Sequence, residues 1–124
     1  MELYEYTAHE LAGLLREKRA SAKEITQSVF QRIRAVEGLV DAYISLSEES
    51  ALEQAAAVDE KIAKGEPLAP LAGIPVAVKD NICIQGGATT CASRMLENFR
   101  PPYHAAVTEK LLENDMVVTG KCNM

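Results

Sequence analysis

Between residues 71 and 78 the chain reads Leu-Ala-Gly-Ile-Pro-Val-Ala-Val, eight positions without a charge, and then breaks into Lys79-Asp80. A run this short and this rich in β-branched residues reads as a strand buried on both faces, the habit of parallel sheets covered by helices. Pro75 fits the start of the paired region, because it has no N–H to give a ladder. Met116-Val-Val-Thr119 reads as a second buried strand. Between the two, Ala105 to Asn114 carries Val107, Leu111 and Leu112 at helical spacing. Strand, helix, strand is the unit of an α/β sheet. The connection from Asp80 to His104 is long for such a unit, and long loops at strand ends are functional or disordered. Gly120-Lys-Cys-Asn-Met124 follows the second strand directly. Two parallel strands leave a sheet edge open, so the expectation is a truncated domain.

The residues before this pair read differently. Thr7-Ala-His-Glu10 and Ser21-Ala-Lys-Glu24 both fit the capping box, in which hydroxyl and carboxylate satisfy orphan N–H groups at a helix start. Leu11, Leu14 and Leu15 give the first helix its apolar face. Ile25, Val29, Ile33 and Val36 do so for the second, with Gly38 as its expected stop. Val40 to Ser45 reads as extended. A third helix is expected from about Ser47, with Ala51, Ala55, Val58 and Ile62 on one stripe and Gly65 at its end. Arg16, Glu17, Lys18, Glu48, Glu53 and Lys61 fall opposite these stripes, as a solvated surface. The change of character at Gly65-Glu-Pro-Leu-Ala-Pro70 divides the chain into a helical region, 1–66, and the start of an α/β core, 67–124.

The 124 residues carry 13 Lys and Arg against 18 Asp and Glu, a net charge of -5. That balance argues against a nucleic-acid grip in this segment, which needs clustered cations. No apolar run approaches the ~20 residues that span a bilayer, and the acidic start lacks the n- and h-regions of a signal peptide. A cytoplasmic protein with no membrane contact is expected. Cys83, Cys91 and Cys122 are widely spaced and odd in number, so they read as ordinary buried thiols rather than a disulfide framework or a zinc site.

Lys79 is the first polar side chain after the buried run, at the strand end where α/β sheets place their sites. Partial desolvation there would lower its pKa and let it act as a general base. The same position also suits a lysine that merely ends a strand and pairs with Asp80 or water. Asp80 and Asn81 share that ambiguity. Gly86-Gly87 and Thr89-Thr-Cys-Ala-Ser93 form a small, hydroxyl-rich stretch, either an anion cradle or a turn into a helix capped near Ser93. Neither dinucleotide nor P-loop glycine spacing is present. His9 reads as a solvated helix residue and His104 as a helix N-cap.

Leu71-Ala-Gly-Ile-Pro-Val-Ala-Val-Lys-Asp-Asn-Ile82 resembles the lysine-bearing segment of the amidase signature family. Thr89 to Ser93, Leu96-Glu-Asn-Phe99, Pro101-Pro-Tyr103 and Gly120 to Met124 are similar to one branch of it, the glutamine-hydrolysing subunits of tRNA-dependent amidotransferases. The resemblance implies the amino-terminal part of an amidase-signature fold, α/β, with helices followed by strands of a mixed sheet. It implies that Lys79 is the family's catalytic lysine, taking a proton relayed through a serine on a cis peptide bond so that a second serine attacks a carboxamide. It implies glutamine as substrate, the B and C subunits of the amidotransferase as partners, and a mischarged tRNA met mainly through the B subunit. No cofactor is expected in this chain; ATP and Mg2+ belong to the partner subunit. The stretch with the two serines would lie beyond Met124, and Ser93 does not match it, so this polypeptide alone is expected to be inactive. His104 and Cys122 depart from the family's usual Asp and Thr. The alternatives are a free-standing amide hydrolase of the same family and a non-catalytic piece that binds a partner.

Overall fold

The computed structural model describes residues 1–124. Four α-helices and three strands follow one another as α1 (Ala8–Arg16), α2 (Ala22–Val40), β1 (Tyr43–Leu46), α3 (Glu48–Ala63), β2 (Pro75–Lys79), α4 (Ala106–Glu113) and β3 (Val117–Cys122). The strands form one mixed sheet in the order β1-β3-β2. β3 runs parallel to β2 and antiparallel to β1.

Both capping boxes form. Thr7 Oγ1 accepts from Glu10 N at 3.2 Å while Glu10 returns a carboxylate to Thr7 N at 2.8 Å, and Ser21 and Glu24 repeat the exchange. Leu11 and Leu15 on α1, Ile25, Phe30 and Ile33 on α2, and Ala51, Ala55 and Val58 on α3 are buried in one cluster. That cluster also holds Ala72, Ile74, Met116 and Val117, so the helices pack on the sheet's entry segments. Gly73 is wedged between three helices, with φ +79° and a Cβ position 3.1 Å from Ala22 Cβ and Leu15 Cδ1. Gly65, at φ 72°, follows the end of α3 as expected.

Five local expectations are corrected. Gly38 does not stop α2: the helix continues to Val40, and Asp41 takes the left-handed cap at φ 52°. Beyond that cap the Glu37 carboxylate accepts from Ala42 N at 2.9 Å and Tyr43 N at 2.6 Å, which steers the chain into β1. β2 is an edge strand with Ala77 exposed, not a strand buried on both faces, although Pro75 does open its pairing. β3 runs on through Lys121 to Cys122 and is the central, buried strand. On α4 the buried residue is Thr108, while Val107 is 47% exposed. The N-cap of α4 is Ala105, and His104 instead accepts through Nδ1 from Gln85 N at 3.0 Å.

β3 gains a residue on β2 where the pairing shifts from Val76↔Val118 to Ala77↔Gly120. Thr119 occupies that bulge, its hydroxyl 2.9 Å from Tyr43 Oη and donating to Val76 O at 3.2 Å. Gln54 of α3 accepts from Val118 N at 2.9 Å, which satisfies a ladder donor beside the irregularity.

Candidate active site

Lys79 closes β2, and the parallel ladder sets it opposite Cys122, which in turn pairs with Tyr43 of β1. These three residues therefore form a row across the carboxyl end of the parallel pair, where α/β sheets present their chemistry. The Lys79 side chain is exposed. The desolvation expected of it is not supplied by these 124 residues.

Asp80 takes the opposite direction. Strand geometry sends successive side chains to opposite faces, and Asp80 is 1% exposed. It does not pair with Lys79. One carboxylate oxygen lies 3.3 Å from the ammonium of Lys121, and the other accepts the Thr90 N–H at 3.1 Å and also the Thr90 hydroxyl. The Lys121 ammonium donates to Ile82 O at 2.8 Å, to Thr89 Oγ1 at 3.1 Å and to Ala88 O at 3.4 Å. Asp80 N donates to Cys122 O, and Cys91 N donates to Asp80 O, both at 3.0 Å. A buried ion pair is tolerated only when its remaining donors and lone pairs are met. Here the segment from Ile82 to Cys91 meets them by wrapping around the pair.

The rest of the long connection is pinned by its backbone. Thr108 Oγ1 and Ala105 N both donate to Cys83 O, at 2.8 and 2.9 Å, which ties the start of α4 to the segment after Lys79. Ser93 caps the short 3-10 turn Arg94–Leu96 by accepting from Met95 N at 3.3 Å, the capping role rather than a nucleophile's. The expectation of three buried thiols is not met: Cys83 and Cys122 are half-buried and Cys91 is exposed, sitting with Ala92 in the left-handed region at φ 52° and 55°. Burial first, and then the charge of Glu37, push the Cys122 thiol up from its ordinary range. Burial also raises the Tyr43 hydroxyl, against the lowering effect of its bond to Thr119. No group of three or more His, Cys, Asp or Glu side chains converges as metal ligands. His9 is exposed on α1.

The pairing of Asp80 with Lys121 is absent from the sequence reading. Its signal is present all the same: each residue is a charge at the carboxyl end of a parallel strand, in a stretch otherwise apolar. A second strand that ends at Thr119 hides it, because Lys121 then falls outside the sheet.

Comparison with known proteins bears on this geometry. The model of the family described as Amidase matches residues 24–124. The chain is 52% identical over all 124 residues to the A subunit of glutamyl-tRNA(Gln) amidotransferase from Desulforamulus reducens, covering 26% of that protein. It is 56% identical over the same span to the protein of the same name from Desulfosudis oleivorans, covering 25%. The chain thus spans about a quarter of the length of the curated relatives it matches. Among solved structures, the peptide amidase of Stenotrophomonas maltophilia superposes with a TM-score of 0.90 at 32% identity, over 97% of this chain and 25% of that one.

Proposed function

Because this chain belongs to the amidase family, we propose that it supplies the lysine-bearing part of a glutamine-hydrolysing subunit in a glutamyl-tRNA(Gln) amidotransferase. The observation that carries the proposal is identity of 52% with such a protein along all 124 residues, against 32% with a peptide amidase of the same fold. Lys79, at the exposed carboxyl end of β2, is the base. It accepts a proton relayed through a serine on a cis peptide bond, and the second serine attacks the glutamine carboxamide, the logic of an activated nucleophile beside its base. Both serines belong to polypeptide outside these residues. That polypeptide also covers Lys79 and shields it from water. Ammonia leaves for the B subunit, water frees glutamate from the ester, and the C subunit completes the complex. ATP and Mg2+ would be held by the B subunit and would supply the activation of the glutamyl group on the mischarged tRNA. No helix here is long and apolar enough to cross a membrane.

The test is made on the full-length protein in complex with its B and C partners. Lys79→Ala lowers glutamine hydrolysis by about 10²- to 10⁴-fold, the usual worth of a positioned general base, and leaves assembly intact. Lys79→Arg fails as well, since a guanidinium keeps its proton. Undiminished turnover in either variant removes Lys79 from the mechanism. The second reading, a free-standing amide hydrolase, draws on the superposition with the peptide amidase. Hydrolysis of small amides or peptide amides without the two partners, and no ammonia transfer with them, would establish it instead.

A further inference from the structure

The buried pair Asp80–Lys121 lies next to Lys79 in the chain and next to its ladder partner Cys122, yet the proton relay makes no use of it. Its side chains are 1% and 6% exposed, and four residues of the following segment converge on the two charges, through Ile82 O, Ala88 O, Thr89 Oγ1 and the N–H and hydroxyl of Thr90. A surface turn needs no such device, because taking a charge pair out of water is costly unless the remaining donors and lone pairs are met. What the device fixes is geometric. With Asp80 anchored inward and its N–H bonded to Cys122 O, strand alternation leaves Lys79 one direction only, outward from the opposite face of β2. We propose that Asp80 and Lys121 are positioning residues for Lys79, locking the ends of β2 and β3 and the Ile82–Cys91 segment into one unit that aims the Lys79 amine.

This inference rests on Lys79 being the base, and it predicts a particular kinetic pattern. The full-length protein, in complex with its partners, carries Asp80→Asn, Lys121→Met or both. Each single change strands one buried charge, whereas the double change removes both. Because small misplacements of a reacting group are costly, each single variant loses about tenfold to a hundredfold in kcat for glutamine hydrolysis. KM for glutamine stays within about twofold, since the loss is confined to the transition state. The double variant regains part of the lost activation free energy but stays below the parent, and Lys121→Arg, which keeps the charge, outperforms both Lys121→Met and the double variant. Rates are taken per folded complex, measured by near-ultraviolet circular dichroism and gel filtration. Single variants with kcat within about twofold of the parent overturn the proposal. So does activity that falls only in proportion to the folded fraction, because that is stability alone. Where a single variant yields no folded complex, the double variant and Lys121→Arg decide: a kcat deficit with unchanged KM in the double variant, larger than in Lys121→Arg, supports the positioning role, and parental kcat in both overturns it. Lys79→Ala serves as the control. If that variant keeps its turnover, the base assignment fails, whatever the pair does.

Discussion

Gly120 pairs with Leu46 of β1 and Ala77 of β2 at once, and it has no room for a side chain. A Cβ there would collide with the carbonyl oxygen of Ser45 and stand 3.0 Å from Leu46 Cα and 3.1 Å from the Tyr43 ring. Backbone atoms of a paired strand cannot yield as a side-chain tip does. Gly120→Ala therefore destabilises the protein by about 1–3 kcal/mol, the cost of overpacking a rigid site. Chemical denaturation of the full-length protein reads this as a lowered midpoint, and an unchanged midpoint would mean that β1 shifts freely away from β3. At this scale the sequence is most legible where a residue acts on its immediate neighbours. Thr7 and Ser21 announce their caps because a capping box closes within four residues. Lys79 is legible because polarity changes so sharply after Val78. Gly120 and Lys121 act through partners remote in the chain, Lys121 and Thr89 lying 32 positions apart, and no local pattern reveals such partners.

The start of α2 shows the same boundary between local and distant information, now between elements. Ser21 and Glu24 serve two orphan groups there, the N–H of Glu24 and the N–H of Ser21. Two more, the N–H groups of Ala22 and Lys23, donate to the carboxylate of Asp59 on α3, at 2.7 and 3.0 Å. A carboxylate is well placed at a helix N-terminus, where the aligned peptide dipoles are positive. Asp59 thus joins α3 to α2 at the end of the stripe in which Ala51, Ala55 and Val58 lie buried. Asp59→Ala is expected to cost about 1–2 kcal/mol, in the range of a lost helix cap, and Asp59→Asn to recover part of it by keeping an acceptor. Thermal unfolding of the full-length protein orders the three forms, and an Asp59→Ala variant as stable as the parent would show that water caps α2 equally well. In the sequence, Asp59 is one more charge on a solvated helix. The alanine-rich stripe of α3 signals a close neighbour, while the identity of that neighbour depends on tertiary packing. The end of α2 escapes local reading for a related reason: a glycine is the commonest left-handed cap, but Asp41 fills the role once Glu37 binds the two N–H groups beyond it.

At the scale of the whole molecule the mixed sheet decides what is stable and what is not. β3 is bonded on both sides, covered by α3 and buried from Val117 to Lys121. β1 and β2 are each bonded on one side only, and Ile44 and Leu46 of β1 remain 41% and 44% exposed. Met95 and Leu39, at 95% and 92% exposed, add apolar surface of the kind that a further part of a fold or a partner covers. Hydrogen exchange reads this directly, because amides are protected in proportion to the free energy of the opening that exposes them. In the isolated 124-residue chain, the β3 amides and the α2–α3 contact should exchange most slowly. The β1 and β2 amides that point away from β3 should exchange close to the unprotected rate. In the full-length protein, the outward amides of β2 become protected together with the Lys79 amide. That simultaneous change is the signature expected if the polypeptide that extends the sheet is also what shields the lysine from water. Protection of the β2 edge in the isolated chain, equal to that in the full-length protein, would separate the two events and leave the proposed base without its shield from water.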